Sequence, residues 1–189
     1  GSGVDAHLRG RDFTIDALAV DLSRLAKGDA AVIDPTGGLA DLRSGVIRAL
    51  SSTALEQDPI RLLRGPRIAA VGSFALEDQT AVWTRDRASL IARVSPERVR
   101  DELVKILAAP RVTTSLRTLD DLGLLTAVLP ELEESRGVVQ PAEHHYDVFD
   151  HLVETPGAVE LVMDEPGDTA TLSYVPRFDG MAQYFARPV

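Results

Sequence analysis

Three arginines, Arg61, Arg64 and Arg67, recur every third residue behind an Asp58-Pro59 step. On a helix that spacing lays three guanidinium groups along one stripe, where they could face phosphates. Asp58 and Arg61 are themselves three residues apart, so on one helical turn they can point the same way. An acceptor and a donor array so placed could hydrogen-bond the Watson–Crick edge of a base. The plainer alternative is that Asp58 caps a helix and Arg61 faces solvent. Upstream, Arg9 and Arg11 flank Gly10 and precede Asp12. Guanidinium forks bind phosphate oxygens bidentately, so Arg9 and Arg11 could hold a triphosphate while Asp12 orients an arginine or a metal-bound water. The alternative there is an ordinary ion pair at the end of a strand. Farther along, His144, His145, Asp147, Asp150 and His151 mix imidazole with carboxylate in the manner of a zinc, iron or manganese site. No histidine follows His151 in the chain, and a site needs several convergent ligands, so structural and solvated histidines are the simpler expectation. Gly37-Gly38 lacks the glycine spacing of a phosphate-binding loop.

These residues need a scaffold, and composition bounds it. The 189 residues are 44% hydrophobic and contain no cysteine. That excludes disulfides, zinc-thiolate sites and thiol catalysis, and makes a cytoplasmic setting the expectation. No run of 18 apolar residues exists, so no membrane-spanning helix is expected. The net charge of −9, taken whole, argues against a nucleic-acid partner. Divided along the chain it reads differently. Residues 1–42 carry −3, residues 43–111 carry +4, and residues 112–189 carry −10. In the basic middle only Lys105 is a lysine; the remaining cations are arginines, the better fork for phosphate or base contacts.

The periodicities predict an α+β chain. Alternation over 12–21 predicts a strand, and the Lys27-Gly28-Asp29 turn followed by Ala31-Val32-Ile33 predicts a hairpin. Residues 34–38 read as a loop and Val46–Leu50 as a third strand. Asp58-Pro59 reads as a helix start, and Gly65-Pro66 should interrupt that helix, since an interior proline costs roughly 3 kcal/mol. Ser95-Pro96-Glu97 is a cleaner start, with Val99, Leu103, Ile106 and Leu107 forming an apolar stripe that ends before Pro110. Leu116, Leu119, Leu122, Leu125 and Leu129 predict another helix. Residues 135–141 read as a linker, followed by a helix from about Val148 that weakens at Pro156-Gly157. The tail beyond Asp164 reads as extended.

Taken in order, five blocks resemble the bacterial tRNA nucleotidyltransferase (CCA-adding) and poly(A) polymerase family: RGRDFTIDALAVDL (9–22), VIDPTGGLADLRSGVIRAL (32–50), DPIRLLRGPRIAA (58–70), SPERVRDELVKIL (95–107) and LDDLGLLTAVLPEL (119–132). HHYDVFDHLVET (144–155) is similar to the entry of an HD-type domain. The resemblance spans about residues 5–155. It implies the end of a β-rich nucleotidyltransferase head over 1–50, a helical neck over 51–110, a helical body over 111–141 and the start of a truncated HD-type domain over 142–189. It implies addition of CMP or AMP from CTP or ATP to tRNA 3′ ends, with Mg²⁺ as cofactor. Arg9, Arg11 and Asp12 would serve the triphosphate and ribose, joined by Arg64 and Arg67. Asp58 and Arg61 would read the base, Asp34 and Asp41-Leu42 would sit in a flexible loop, and Glu97 and Arg98 would support the neck. Arg98, Arg100 and Lys105 would contact RNA. Three departures stand out. The family's Gly-Ser and paired aspartates, which hold two Mg²⁺, should lie well before Arg9, so the metal carboxylates are expected to be absent and this chain alone inactive. Gly10 and Asp16 stand where the resemblance has arginine and asparagine. His151 matches a first HD ligand without the rest of the site. Two other readings remain open: a non-catalytic RNA-binding helical module, or the N-terminal partner of an HD-domain metal phosphohydrolase.

Overall fold

The computed structural model describes residues 2–28, 31–139 and 146–164, and over these the chain is α+β with few and short strands. After helix α1 (Ser2–Arg9), Phe13 forms an isolated antiparallel bridge with Ala49. The Thr14 N–H donates to the Arg48 carbonyl (2.9 Å), and the Leu50 N–H donates to the Asp12 carbonyl (3.0 Å). The predicted strand over 12–21 does not continue from this bridge. Thr14–Asp16 instead form a 3₁₀ turn that buries Phe13, Thr14 and Ala17 together, which one-sided alternation would not do. The Asp16 and Ala17 N–H groups close it on the Phe13 and Thr14 carbonyls.

Strand β1 (Ala19–Val20) then pairs antiparallel with β2 (Val32–Ile33), Ala19 opposite Ile33, as the hairpin pattern predicts. The connection holds a short helix α2 (Leu22–Leu25), capped by the Asp21 carboxylate, which accepts the Ser23 and Arg24 N–H groups. Asp34 does the same for α3 (Gly38–Ser44): its carboxylate accepts from Gly37 and Gly38 (2.8 Å each), Leu39 (3.0 Å) and Thr36 (3.3 Å). The segment expected as a flexible loop around Asp41-Leu42 is therefore helical. Gly38 seats α3 on the 3₁₀ turn so closely that a Cβ there would lie 2.0 Å from the Thr14 carbonyl oxygen.

Only the first two residues of the predicted third strand form one, β3 (Val46–Ile47). It pairs parallel with β4 (Ala75–Leu76), a strand without a period-two signature. Helices α4 (Ser52–Gln57) and α5 (Arg61–Gly72) make the crossover. Asp58 terminates α4 and its carboxylate caps no new helix, although its carbonyl accepts the Arg61 N–H (3.0 Å) in the turn that leads into α5. Helix α5 runs uninterrupted through Pro66. The cost of the missing N–H is offset by burial: Leu62, Leu63, Gly65 and Pro66 all face inward, and burying one large apolar side chain contributes about 1.5–3 kcal/mol. Gly65 leaves room for the Phe13 ring, whose Cζ would sit 3.1 Å from an added Cβ.

After α6 (Asp78–Asp86) and a 3₁₀ segment (Ala88–Arg93), α7 (Pro96–Leu107) begins at Pro96 as expected. Ile106 is buried on its inner face with Val99 and Leu103 packed against the core, whereas Leu107 is exposed. The leucine stripe over 116–129 is split between α8 (Val112–Asp121) and α9 (Leu124–Val128) by Gly123, whose φ of 68° no leucine helix would keep. Leu116, Leu119, Leu122 and Leu125 are buried, but Leu129 is exposed. Residues 130–135 close as 3₁₀. Helix α10 (Val148–Asp164) passes through Pro156, contrary to the expected weakening. Here too a glycine admits a neighbour: a Cβ on Gly157 would meet Thr113 Oγ1 of α8 at 2.1 Å. His144, His145 and the expected extended tail lie outside the described residues. One apolar cluster runs from Phe13 and Ile47 through Leu62 and Leu63 to Leu119, Leu125 and Phe149.

Candidate functional site

Arg61, Arg64 and Arg67 rise from successive turns of α5 and meet Arg11, Asp12 and Asp16 from the 3₁₀ corner, enclosing a cleft of about 290 Å³. Asp12 is buried, and Arg64 Nη1 donates to its Oδ2 at 2.5 Å. Burial opposes the charge on Asp12, but the Arg64 hydrogen bond, a backbone hydrogen bond and the charges of Arg64 and Arg61 outweigh it, holding the carboxyl below the ordinary aspartate range. Arg61 Nη1 donates to the Ala54 carbonyl (3.0 Å), while its Nε is buried without a hydrogen-bond partner. Arg67 Nε lies 2.6 Å from Glu102 Oε2 on α7, an ion-pair contact without a well-directed hydrogen bond. Arg11 Nε donates to the Asp16 carbonyl at 3.3 Å, which ties it to its own wall of the cleft. Guanidinium groups held at several heights around an open cleft can bind an extended polyanion bidentately.

The structure thus brings Arg11, Asp12, Arg61, Arg64 and Arg67 together. Arg9, at the exposed end of α1, does not line the cleft, and neither does Asp58. Asp58 turns instead to α7, with its Oδ1 and Oδ2 each 3.0 Å from the Arg98 guanidinium. Of the expected RNA contacts, Arg98 and Lys105 are seven residues apart and share one face of α7, whereas Arg100 projects from the other side. All three are exposed, and each has an acidic neighbour: Asp58, Glu102 and Asp101 respectively. Glu102 was not singled out from the sequence. Its signal is position, since a carboxylate at 102 falls on the same stripe as Val99, Leu103 and Ile106 and so must be buried and paired.

Magnesium does not fit these residues. Among the described residues no group of three or more His, Asp or Glu side chains converges as a metal site, and the cleft's buried carboxylate is already taken by Arg64. Asp147 accepts the Gly137 and Asp150 N–H groups, and Asp150 pairs with Arg117, so the two carboxylates of the histidine–aspartate cluster are engaged structurally. No described helix is long and apolar enough to cross a membrane.

Two family models match, the poly A polymerase head domain over residues 3–48 and the probable RNA and SrmB-binding site of polymerase A over residues 73–135. The chain belongs to the tRNA nucleotidyltransferase and poly(A) polymerase family. Within it, the chain is 43% identical over 152 residues to the A-adding tRNA nucleotidyltransferase of Deinococcus radiodurans, covering 78% of this chain and 34% of that protein. It is 40% identical over 144 residues to a multifunctional CCA protein of Xanthomonas campestris, covering 73% and 33%. The fold matches the Bacillus stearothermophilus CCA-adding enzyme, crystallised in complex with CTP, with a TM-score of 0.65 at 26% identity over 92% of this chain and 48% of that one. The chain spans about a third of the length of these curated relatives.

Proposed function

We propose that the chain supplies the nucleotide-binding cleft and an RNA-contacting helical neck of an enzyme that adds CMP or AMP, from CTP or ATP, to tRNA 3′ ends. The observation that carries this is the convergence of Arg11, Arg61, Arg64 and Arg67 on one cleft beside an Asp12 already locked to Arg64. The named relatives act on tRNA, and the matching enzyme structure holds CTP. Arg11, Arg61 and Arg67 bind the triphosphate, Arg64 both binds it and keeps Asp12 charged and oriented, and Arg61 is also the cleft's candidate for the base edge. Arg98 fixes Asp58 against α7 and, with Lys105, offers RNA phosphates a cationic face. Divalent magnesium, which the resemblance implies, would neutralise developing charge in phosphoryl transfer; no residue described here is assigned to hold it.

The reading is tested by titrating the chain with fluorescent ATP and CTP at low salt. Saturable binding is expected, with Arg64→Ala weakening it at least tenfold, because the variant loses a phosphate donor and leaves the Asp12 charge uncompensated. Absence of triphosphate binding by the unaltered chain would overturn the reading.

A further inference from the structure

Asp16 is the odd member of the cleft. Four guanidinium groups and two carboxylates line it. Asp12 is taken by Arg64, but among the described residues no donor hydrogen-bonds the Asp16 carboxylate and no cation forms an ion pair with it. The groups that face it are Asp12 from its own corner, Arg11 beside it, and Arg64 and Arg67 from α5. Burial, reinforced by repulsion from Asp12, pushes the Asp16 carboxyl above the ordinary aspartate range, and the three arginines counter this only in part. A polyphosphate presents acceptors and negative charge, so it offers an ionised Asp16 nothing to bind and adds repulsion.

We propose that Asp16 sets the affinity of this cleft for polyphosphate: its ionised carboxylate weakens binding, and neutralising it strengthens binding. The inference rests on reading the cleft as a triphosphate site. It carries a linkage. Because a bound polyphosphate raises the proton affinity of Asp16 further, binding draws a proton onto it, and the penalty it imposes fades as pH falls toward its raised pKa. Asp16 is thus a residue that determines affinity by charge.

The test titrates the chain with ATP and CTP in chelator, at steps from pH 8 to pH 5, using the unaltered protein, Asp16→Asn and Asp16→Ala. Both variants should bind more tightly at pH 8, by about five- to tenfold for removal of one nearby unit charge. The advantage should shrink as pH falls. Calorimetry in buffers of differing ionisation heat should show more proton uptake on binding by the unaltered chain than by either variant; the ligand's own phosphate titration is common to all three and cancels. Equal affinities and equal proton exchange would overturn the inference while leaving the cleft intact. Tightening by Asn but not Ala would overturn it too, since the gain would then come from an amide hydrogen bond. If none of the three binds triphosphate, the reading of the cleft itself falls.

Discussion

At the C-terminal end of the described chain, Arg117 reaches from α8 to Asp150 Oδ1 (2.5 Å) and Glu154 Oε1 (2.9 Å) on α10. Nearby, Arg136 Nη2 holds Asp120 Oδ1 at 2.7 Å, and its guanidinium covers the Phe149 ring 3.8 Å from the centroid. Glu160 accepts the Arg111 and Val112 N–H groups at the start of α8. In this region acids outnumber bases, and each of these guanidinium groups is saturated by carboxylates. The cleft reverses the ratio: four guanidinium groups line it with two carboxylates, Arg67 draws a third from Glu102 on α7, and among the described residues nothing hydrogen-bonds the Asp16 carboxylate. The same residue type acts as a strut in one place and, in the proposed function, as a receptor in the other. The difference is how many carboxylates the fold brings within reach. The charge distribution along the chain, positive in the middle and negative at the end, becomes this contrast in three dimensions.

Separating the two regions by mutation sharpens the contrast. The largest effect is expected in the helical region: Leu119→Ala, at a fully buried site, should lose about 3 kcal/mol in urea unfolding. Triphosphate affinity of the molecules that remain folded should be unchanged, and a parallel fall in affinity would show that the regions are not separable. Next is Gly38→Ala. Its Cβ would meet the Thr14 carbonyl oxygen at 2.0 Å, and backbone must shift to relieve it, costing about 2 kcal/mol. Because Thr14 lies between Asp12 and Asp16, this variant should also weaken ATP binding several-fold, which Leu119→Ala should not. The smallest effect is Arg117→Ala. Both its partners are part-exposed, so the loss should be about 1 kcal/mol and should diminish in high salt. Nucleotide binding should stay as it was; a salt-independent loss would mean that the strut acts by packing.

The sequence made some of this legible and hid the rest for identifiable reasons. Ser95-Pro96 marked α7, and the turn at Gly28 set the pairing of β1 with β2, because proline at a first helical position and glycine at positive φ act locally. The arginine spacing also carried through, since α5 places residues 61, 64 and 67 along one stripe. The middle of 12–21 failed as a strand because the alternation of Phe13, Ile15, Ala17 and Ala19 ignored Thr14, a polar residue buried by its contacts with Arg48 and Asp41. Pro66 and Pro156 failed as helix breaks because tertiary packing overrides local cost when the adjacent glycine admits a neighbour. Asp58 looked like a cap by type, but its carboxylate is drawn to an arginine forty residues away, and no local rule sees that distance. The same limit hid Glu102 and left Asp16 as a mere substitution until its surroundings were known.

The parallel pairing of β3 with β4 has one more consequence. It stitches residues 46–47 to residues 75–76 across the whole of α4 and α5, while the Phe13 ring is socketed on Gly65 of α5. The corner that carries Asp12 and Asp16 and the helix that carries the arginines are therefore fastened at two points. A gene split between Leu50 and Ser51 would leave an orphan strand edge on each half and an empty aromatic socket in the second. These two fastenings restrain the two walls of the cleft relative to one another.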